Sequence, residues 1–198
     1  HIRMGGVDVR KVRLSEIRHR LAVVPQEGFL FEGSVIDNLR YARPDQDPAE
    51  LRTDAMRAFE DLGLEGWLND TPAGLDTAVG ARGELLSAGE RQLVSIARAY
   101  LTDPDVLILD EATSAVDPAT EVRISRALER LMQGRTSVVI AHRLSTAERA
   151  DLVAVMDQGE LKEFGAHPDL VAKNGAYARL HRAWMSQTRE EPRGSDHA

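Results

Sequence analysis

The chain has 198 residues, 42% of them hydrophobic, which is enough to bury one core and form a single domain with a subdomain. Its 25 Lys and Arg against 32 Asp and Glu leave a net charge of -7, which argues against a duplex-DNA binder with a basic face. The sequence has no cysteine, which excludes disulfides, zinc–thiolate sites and thiol nucleophiles and fits a reducing cytoplasm.

No apolar run reaches the ~18–20 residues of a membrane span, and no signal peptide is visible. We therefore expect the isolated chain to be soluble. It begins at His1 without an initiator Met, which suggests a part of a longer protein.

The first half of the chain predicts short strands followed by helices. Turn residues, N-cap residues and apolar faces place the elements in this half. They are two strands within residues 1–9, a buried strand at 21–24, a short helix capped by Ser34 and running to Tyr41, and a helix at 49–62. Residues 63–86 are rich in glycine and predict irregular structure with a short helical piece near Trp67.

The second half alternates helices and strands, which is typical of a parallel sheet with crossover helices. The predicted elements are a helix from Ser87 to about 101, a strand at 106–109, a helix at 118–132, strands at 137–141, 152–156 and 160–164, and helices at 168–173 and 176–185. We therefore predict the α/β class. The polar residues 187–198 predict a disordered tail.

The strand Val106–Leu109 is apolar throughout, which predicts burial on both faces, and it is followed directly by Asp110 and Glu111. Open α/β sheets bind their ligands at the carboxyl ends of their strands. Two carboxylates at that place suit metal-assisted phosphoryl transfer, in which one holds Mg²⁺ and the next polarises the attacking water. A strand that simply ends on solvated acidic residues is the alternative.

Two further stretches carry candidate chemistry. Ser87 with Glu90 three residues later forms a capping-box pattern, and the small residues between them make the same helix N-terminus a candidate anion site. His142 directly follows the strand 137–141, so we expect it at the same sheet edge as Glu111, although a lone histidine there is more often structural.

Taken together, these segments resemble the nucleotide-binding domain of the ATP-binding cassette (ABC) transporter family. The motifs match in order along residues 1 to about 185. They are the Q-loop glutamine Gln26, the signature Leu86-Ser87-Ala88-Gly89-Glu90, the Walker B strand Val106–Asp110 with Glu111, the D-loop Ser114–Asp117 and the switch histidine His142. The stretches 29–39 and 77–83 are similar to the exporter subclass, although Ala81 replaces a common acidic residue and Glu90 replaces the usual Gln.

The resemblance implies a role for each matching residue. The catalytic residues would be Glu111, as the base, and His142. ATP would be bound by Gln26, Ser87, Ala88, Gly89, Glu90 and Asp117, and Mg²⁺ by Asp110 and Gln26. The implied partners are the transmembrane domain of an exporter and a second nucleotide-binding domain in a head-to-tail dimer, with no nucleic acid. The implied location is the cytoplasmic face of the membrane.

The resemblance also implies a P-loop NTPase-like (RecA-like) fold, with a largely parallel core sheet and an inserted helical subdomain at about 40–102, within a domain of residues 1–186. The phosphate-binding loop requires Gly-x-x-x-x-Gly-Lys-Ser/Thr, and no Gly-Lys pair occurs in this sequence. We therefore expect a domain that is incomplete at its N-terminus and inactive by itself, from an ATP-hydrolysing exporter. The alternatives are a non-catalytic partner domain and a DNA-repair or chromosome-structure ATPase. The transported substrate cannot be read from these residues.

Overall fold

The computed structural model describes residues 1–110 and 116–190, and the elements named here belong to those ranges. In chain order they are β1 Arg3–Met4, β2 Val7–Asp8, α1 Leu14–Arg20, β3 Leu21–Val24, α2 Val35–Arg40, α3 Pro48–Asp61, α4 Glu65–Asp70, α5 Ala88–Leu101, β4 Val106–Asp110, α6 Pro118–Met132, β5 Thr136–Ile140, α7 Leu144–Arg149, β6 Val153–Asp157, β7 Glu160–Gly165, α8 His167–Ala172 and α9 Ala176–Glu190. The contacts divide the chain into two compact units, His1–Ile140 and Ala141–Ala198.

The first unit contains a parallel sheet in the order β3-β4-β5. In its register, Val24 of β3 lies beside Leu109 of β4, and Asp110 lies beside Ile140 of β5. Helix α6 connects β4 to β5 as the crossover that parallel neighbours require. The prediction of an α/β fold with a parallel core sheet is confirmed.

Helix α5 has more buried residues than any other described helix of the first unit. It packs against α2, α3, α6 and β3, so it joins the helical part of the unit to the sheet. Its buried residues are Gly89, Gln92, Leu93, Val94, Ser95, Ile96, Ala97, Ala99 and Leu101. Apolar residues therefore surround the helix, which is typical of a helix inside a core rather than on a surface.

Two of the helices between β3 and α5, α2 and α3, begin at residues whose side chains cap them. Ser34 and Asp37 form a reciprocal capping box at the start of α2, and Asp47 accepts hydrogen bonds at the start of α3, with Pro48 at its first position. The apolar face of α3 is buried as its spacing predicts, and Trp67 of α4 is buried beside it, with its ring centroid 5.8 Å from that of Phe59.

Only one face of the sheet is well buried in the described chain, so the prediction that β4 is buried on both faces is wrong here. Leu107 and Leu109 lie in the core, whereas Val23 is 53% exposed and Val138 is 55% exposed on the opposite face. Successive side chains of a strand point to opposite faces, and the register aligns Val23, Ile108 and Val138. An apolar stripe therefore crosses all three strands and faces outward.

The second unit contains the antiparallel hairpin β6–β7, as predicted around Gly159, and three helices. Its own small core includes Ala147, Val155, Leu170 and Tyr177. The carboxylate of Glu163 on β7 accepts hydrogen bonds from the N–H groups of Ala176 and Tyr177, and these bonds lower its pKa. A strand residue thus satisfies the first turn of α9.

The structure adds elements that the sequence analysis did not predict. Helices α1 and α7 were missed because they are short and bury almost nothing: α1 has no buried residue and α7 buries only Ala147. Helix α9 continues to Glu190, and residues 191–198 lie outside the described ranges, so the disordered tail expected from Gln187 stays a prediction. The contacts divide the chain into two compact units, while the expected domain 1–186 and its helical subdomain at about 40–102 stay predictions.

The exposed stripe predicts opposite outcomes for the same substitution on the two faces of β5. Val138→Thr should lower the binding of a hydrophobic dye and slow aggregation, because it makes exposed apolar surface polar while keeping a β-branched side chain. Its free energy of unfolding should change by less than about 0.5 kcal/mol. Dye fluorescence, light scattering and urea unfolding measure dye binding, aggregation and the free energy of unfolding, respectively.

Val139→Thr is the matched control, because Val139 packs against the core on the other face of the strand. The hydroxyl there should cost about 1–2 kcal/mol of stability. Equal destabilisation by the two variants would show that Val138 is not on an exposed face.

Candidate functional site

The carboxyl edge of the sheet brings together two of the predicted site residues. Asp110 ends β4, and Gln26 lies two residues beyond the end of β3 at Val24, which is paired with Leu109. The backbone register therefore places Gln26 and Asp110 at the same edge of neighbouring parallel strands. Carboxylate and amide oxygens are the ligands that Mg²⁺ prefers, so this pair fits the ion that the resemblance implies.

Other predicted residues at this edge stay predictions. Glu111, the expected base, and the D-loop residues Ser114 and Ala115 lie outside the described residues. His142 is exposed between β5 and α7 and belongs to the second unit. The expectation that His142 lies close to Glu111 therefore stays a prediction.

The segment that carries Gln26 is held against α5 from both of its sides. The buried side chain of Gln92 donates from Nε2 to the carbonyl oxygen of Pro25 at 3.1 Å. On the other side, a Cβ at Gly28 would lie 2.6 Å from the carbonyl carbon and oxygen of Arg91. Only glycine permits this approach of two backbones, so the loop is fixed relative to the helix.

The N-terminus of α5 forms the predicted capping box. The Oγ of Ser87 accepts from the N–H of Glu90 at 3.3 Å, and the N–H of Ser87 donates to Oε2 of Glu90 at 2.8 Å. Ala88 and Gly89 occupy the first turn, where backbone N–H groups have no intrahelical carbonyl to bind. Such a turn can bind an anion through these groups and the positive end of the helix dipole.

Both carboxylate oxygens of Glu90 accept hydrogen bonds. While Oε2 binds Ser87, Oε1 accepts a hydrogen bond from Nε1 of Trp67 at 3.2 Å. Partial burial raises the pKa of Glu90, but the hydrogen bonds from Ser87 and Trp67 outweigh it, so the pKa lies below its ordinary value. These bonds connect the turn formed by the signature residues 86–90, which we call the signature turn, to helix α4.

Gly89 lies against the start of α6. A Cβ at Gly89 would overlap with Cγ2 of Thr120 and lie 2.8 Å from Cγ1 of Val116. Asp117 caps α6 by accepting from the N–H of Thr120 at 3.0 Å, a bond that lowers its pKa. The structure therefore brings the signature turn and the end of the predicted D-loop into contact.

Three exposed aromatic rings form a surface beyond the Gln26 loop, which we call the aromatic surface: Phe29, Phe31 and Tyr41. The ring centroids of Phe29 and Phe31 are 5.0 Å apart, and those of Phe31 and Tyr41 are 4.3 Å apart. The buried side chain of Asn38 accepts from the N–H of Phe31 at 2.8 Å and donates to its carbonyl at 2.9 Å. The backbone under the rings is therefore fixed.

Gln92, Trp67 and Asn38 were not identified from the sequence as supports of the site. A signal was present in each case. Gln92 and Asn38 are polar residues on otherwise buried helices, and a buried tryptophan needs a partner for its N–H. The sequence indicates that each of these side chains needs a hydrogen-bond partner, but it does not identify the partner.

The model of the ABC transporter family matches residues 1–114 of this chain. Among curated proteins, the chain is 48% identical over 182 residues to a β-(1→2)glucan export ATP-binding/permease protein, NdvA, of Rhodopseudomonas palustris, covering 92% of this chain and 30% of that protein. It is 46% identical over 193 residues to an ATP-dependent lipid A-core flippase of Pseudomonas aeruginosa, covering 98% of this chain and 32% of that protein.

Among solved structures, a bacterial Atm1-family ABC exporter with ATP bound matches with a TM-score of 0.78 and 35% identity, over 96% of this chain and 32% of the exporter chain. The chain thus spans about a third of the length of the proteins that it matches. Within the described residues, none of the helices is both long enough and apolar enough to cross a membrane.

The contact at Gly89 predicts a clear cost for a single methyl group. Gly89→Ala should destabilise the first unit by about 1–3 kcal/mol, because the methyl overlaps with Thr120 and Val116. Thr120→Ser removes the nearest carbon and should recover part of this loss in the double variant. Urea unfolding of the single and double variants measures both effects.

Gly66→Ala is the matched control, since a Cβ at Gly66 in α4 meets nothing within 4 Å. That change should stabilise the helix by up to about 1 kcal/mol. If Gly89→Ala were as harmless as Gly66→Ala, the turn would not be packed against α6.

The bonds of Glu90 predict a pH-dependent contribution to stability. Because the folded pKa lies below its ordinary value of 4.5, the ionised carboxylate stabilises the fold fully above about pH 4.5, and this contribution is lost as the pH falls through the folded pKa. Glu90→Gln should cost about 0.5–1 kcal/mol at pH 7, since its amide nitrogen cannot accept a hydrogen bond. The difference should shrink towards pH 3 in urea unfolding.

Glu32→Gln, at an exposed loop position, should show no such pH-dependent difference. A difference for Glu90→Gln that is the same at pH 3 and pH 7 would mean that the charge of the carboxylate does not contribute.

Proposed function

The chain belongs to the ABC transporter family, and on that premise we propose that it is most of the ATP-binding domain of an exporter. In this proposal the parent protein couples ATP hydrolysis to transport across a membrane. The observation that carries it is the placement of Gln26 and Asp110 at one edge of a parallel sheet. The exporter and flippase names of the relatives support it and count against the DNA-repair alternative.

Within this proposal, the edge of the sheet holds Mg²⁺ and orients the attacking water. Asp110 and Gln26 would hold the ion with their oxygens, directly or through water, and the ion would supply positive charge beside the transferred phosphoryl group. Glu111 accepts a proton from the water, and His142 contacts the γ-phosphate. Positioning and charge neutralisation then provide most of the rate enhancement.

The signature turn is proposed to act on an ATP molecule held by a second nucleotide-binding domain. The N–H groups of Ala88 and Gly89 and the hydroxyl of Ser87 face the phosphates of that molecule, with Asp117 and Glu90 beside them. The 198 residues contain no Gly-Lys pair, so a phosphate-binding loop of the usual kind has to come from another part of the protein.

The aromatic surface is proposed to receive the transmembrane domain. It is exposed and apolar, and the buried amide of Asn38 fixes its backbone, so it offers a rigid docking site with little entropy to lose. It follows the Gln26 loop directly in the chain, so movement of a docked helix would reach Gln26. Such docking would place the domain at the cytoplasmic face of the membrane.

The proposal is tested by Glu111→Gln in the full-length parent protein. The amide cannot accept a proton from water, so kcat for ATP hydrolysis should fall by about 10²–10⁴-fold while the Kd for ATP stays unchanged. Steady-state phosphate release and equilibrium nucleotide binding measure the two quantities separately.

Glu27→Gln makes the same substitution at an exposed neighbour of Gln26 and should leave turnover near normal. The 198-residue chain by itself should give no turnover. It lacks the charge-assisted hydrogen bonds of a phosphate-binding loop, each of which contributes ~1.5–3 kcal/mol. Without several of them, ATP should not bind with micromolar affinity. Near-normal hydrolysis by Glu111→Gln would mean that another residue is the base.

A further inference from the structure

Three side chains of the kinds that bind metal ions come together in the second unit: Glu148 of α7, His167 of α8 and His181 of α9. One ligand atom from each residue lies within 4.8 Å of the corresponding atoms of the other two. The three residues are far apart in the sequence, so the packing of three helices, rather than one local turn, creates the cluster.

The spacing within the cluster is close to that of a coordination sphere. Nε2 of His181 lies 3.4 Å from Oε1 of Glu148. A tetrahedral ion with bonds of about 2.0–2.2 Å holds its ligand atoms about 3.4 Å apart. This pair therefore already has the required separation. The partly exposed side chains of Glu148 and His181 can move to close the remaining distance to His167.

The residues around the cluster favour the binding of an ion. The hydroxyl of the buried Tyr177 lies 2.7 Å from Nδ1 of His167, a contact that fixes the ring as ligating imidazoles usually are fixed. The side chain of His181 is 19% exposed and that of Glu148 is 40% exposed. The apolar core thus supports one side of the cluster, and solvent reaches the other, where a water could complete the coordination.

We propose that Glu148, His167 and His181 form a binding site for a divalent transition-metal ion of the zinc type. Two imidazoles and one carboxylate are a donor set that suits Zn²⁺ and its neighbours rather than Mg²⁺ or Ca²⁺. A bound ion would connect α7, α8 and α9, so its binding free energy would add to the stability of the second unit. None of these three residues is among those proposed to act on ATP.

The test is titration of the whole 198-residue chain with ZnCl₂ by calorimetry, with CoCl₂ as a spectroscopic probe of tetrahedral coordination. The wild-type chain should bind one ion. His181→Ala should weaken binding at least 100-fold and Glu148→Gln at least 10-fold. Both side chains are partly exposed, so their replacement should leave the core intact, which circular dichroism verifies.

His19→Ala is the matched control, because it removes an exposed histidine from α1, in the other unit, and should change the affinity less than twofold. A wild-type chain that binds Zn²⁺ no more tightly than His181→Ala and Glu148→Gln would overturn the proposal, and the cluster would be only an ion pair beside a hydrogen-bonded histidine. Equal weakening by His19→Ala would overturn it as well.

Discussion

Burial of helix α5 is the constraint on which the rest of the first unit depends. Leu93, Val94 and Ile96 have no exposed surface, and each such side chain contributes about 1.5–3 kcal/mol through removal from water. The same helix begins at the signature turn and, one turn later, presents Gln92 to the loop that carries Gln26. The hydrophobic contacts that stabilise the unit therefore also set the relative positions of two segments of the proposed ATP site.

Two glycines add to the precision of that arrangement, beside the hydrogen bond from Gln92 to Pro25. At Gly28 the backbone of the Gln26 loop meets the backbone of α5, and at Gly89 the start of α5 meets the start of α6. Neither contact leaves room for a methyl group, because packed interiors have no spare volume at these points. Small residues here are thus required by the fold itself, and this requirement would hold even without a ligand.

Much of the fold could be predicted from local patterns, whereas the partners of individual side chains could not. The N-cap at Ser34, the capping box at Ser87 and the strand that ends at Asp110 are local in sequence, so propensity and periodicity were sufficient to predict them. The contact between Trp67 and Glu90, or between Gln92 and Pro25, depends on how distant segments pack. Patterning alone also predicted β4 to be buried on both faces, because apolar strand residues look the same whether or not a further layer covers them.

Glu90 illustrates how a stability requirement and a proposed function can oppose each other at one residue. Its carboxylate caps α5 and ties it to Trp67, and both effects act in the chain by itself. In the proposed closed dimer the same charge would approach a triphosphate. At about 7 Å and an effective dielectric constant near 20, two like unit charges repel by roughly 2 kcal/mol, which exceeds the usual contribution of a cap. The Ser87 amide and the Trp67 indole donate to the two carboxylate oxygens, and their dipoles offset part of the negative charge. The fold of the chain therefore favours a glutamate at this position, because the bond to α4 makes the signature turn rigid, whereas the proposed dimer favours a neutral residue.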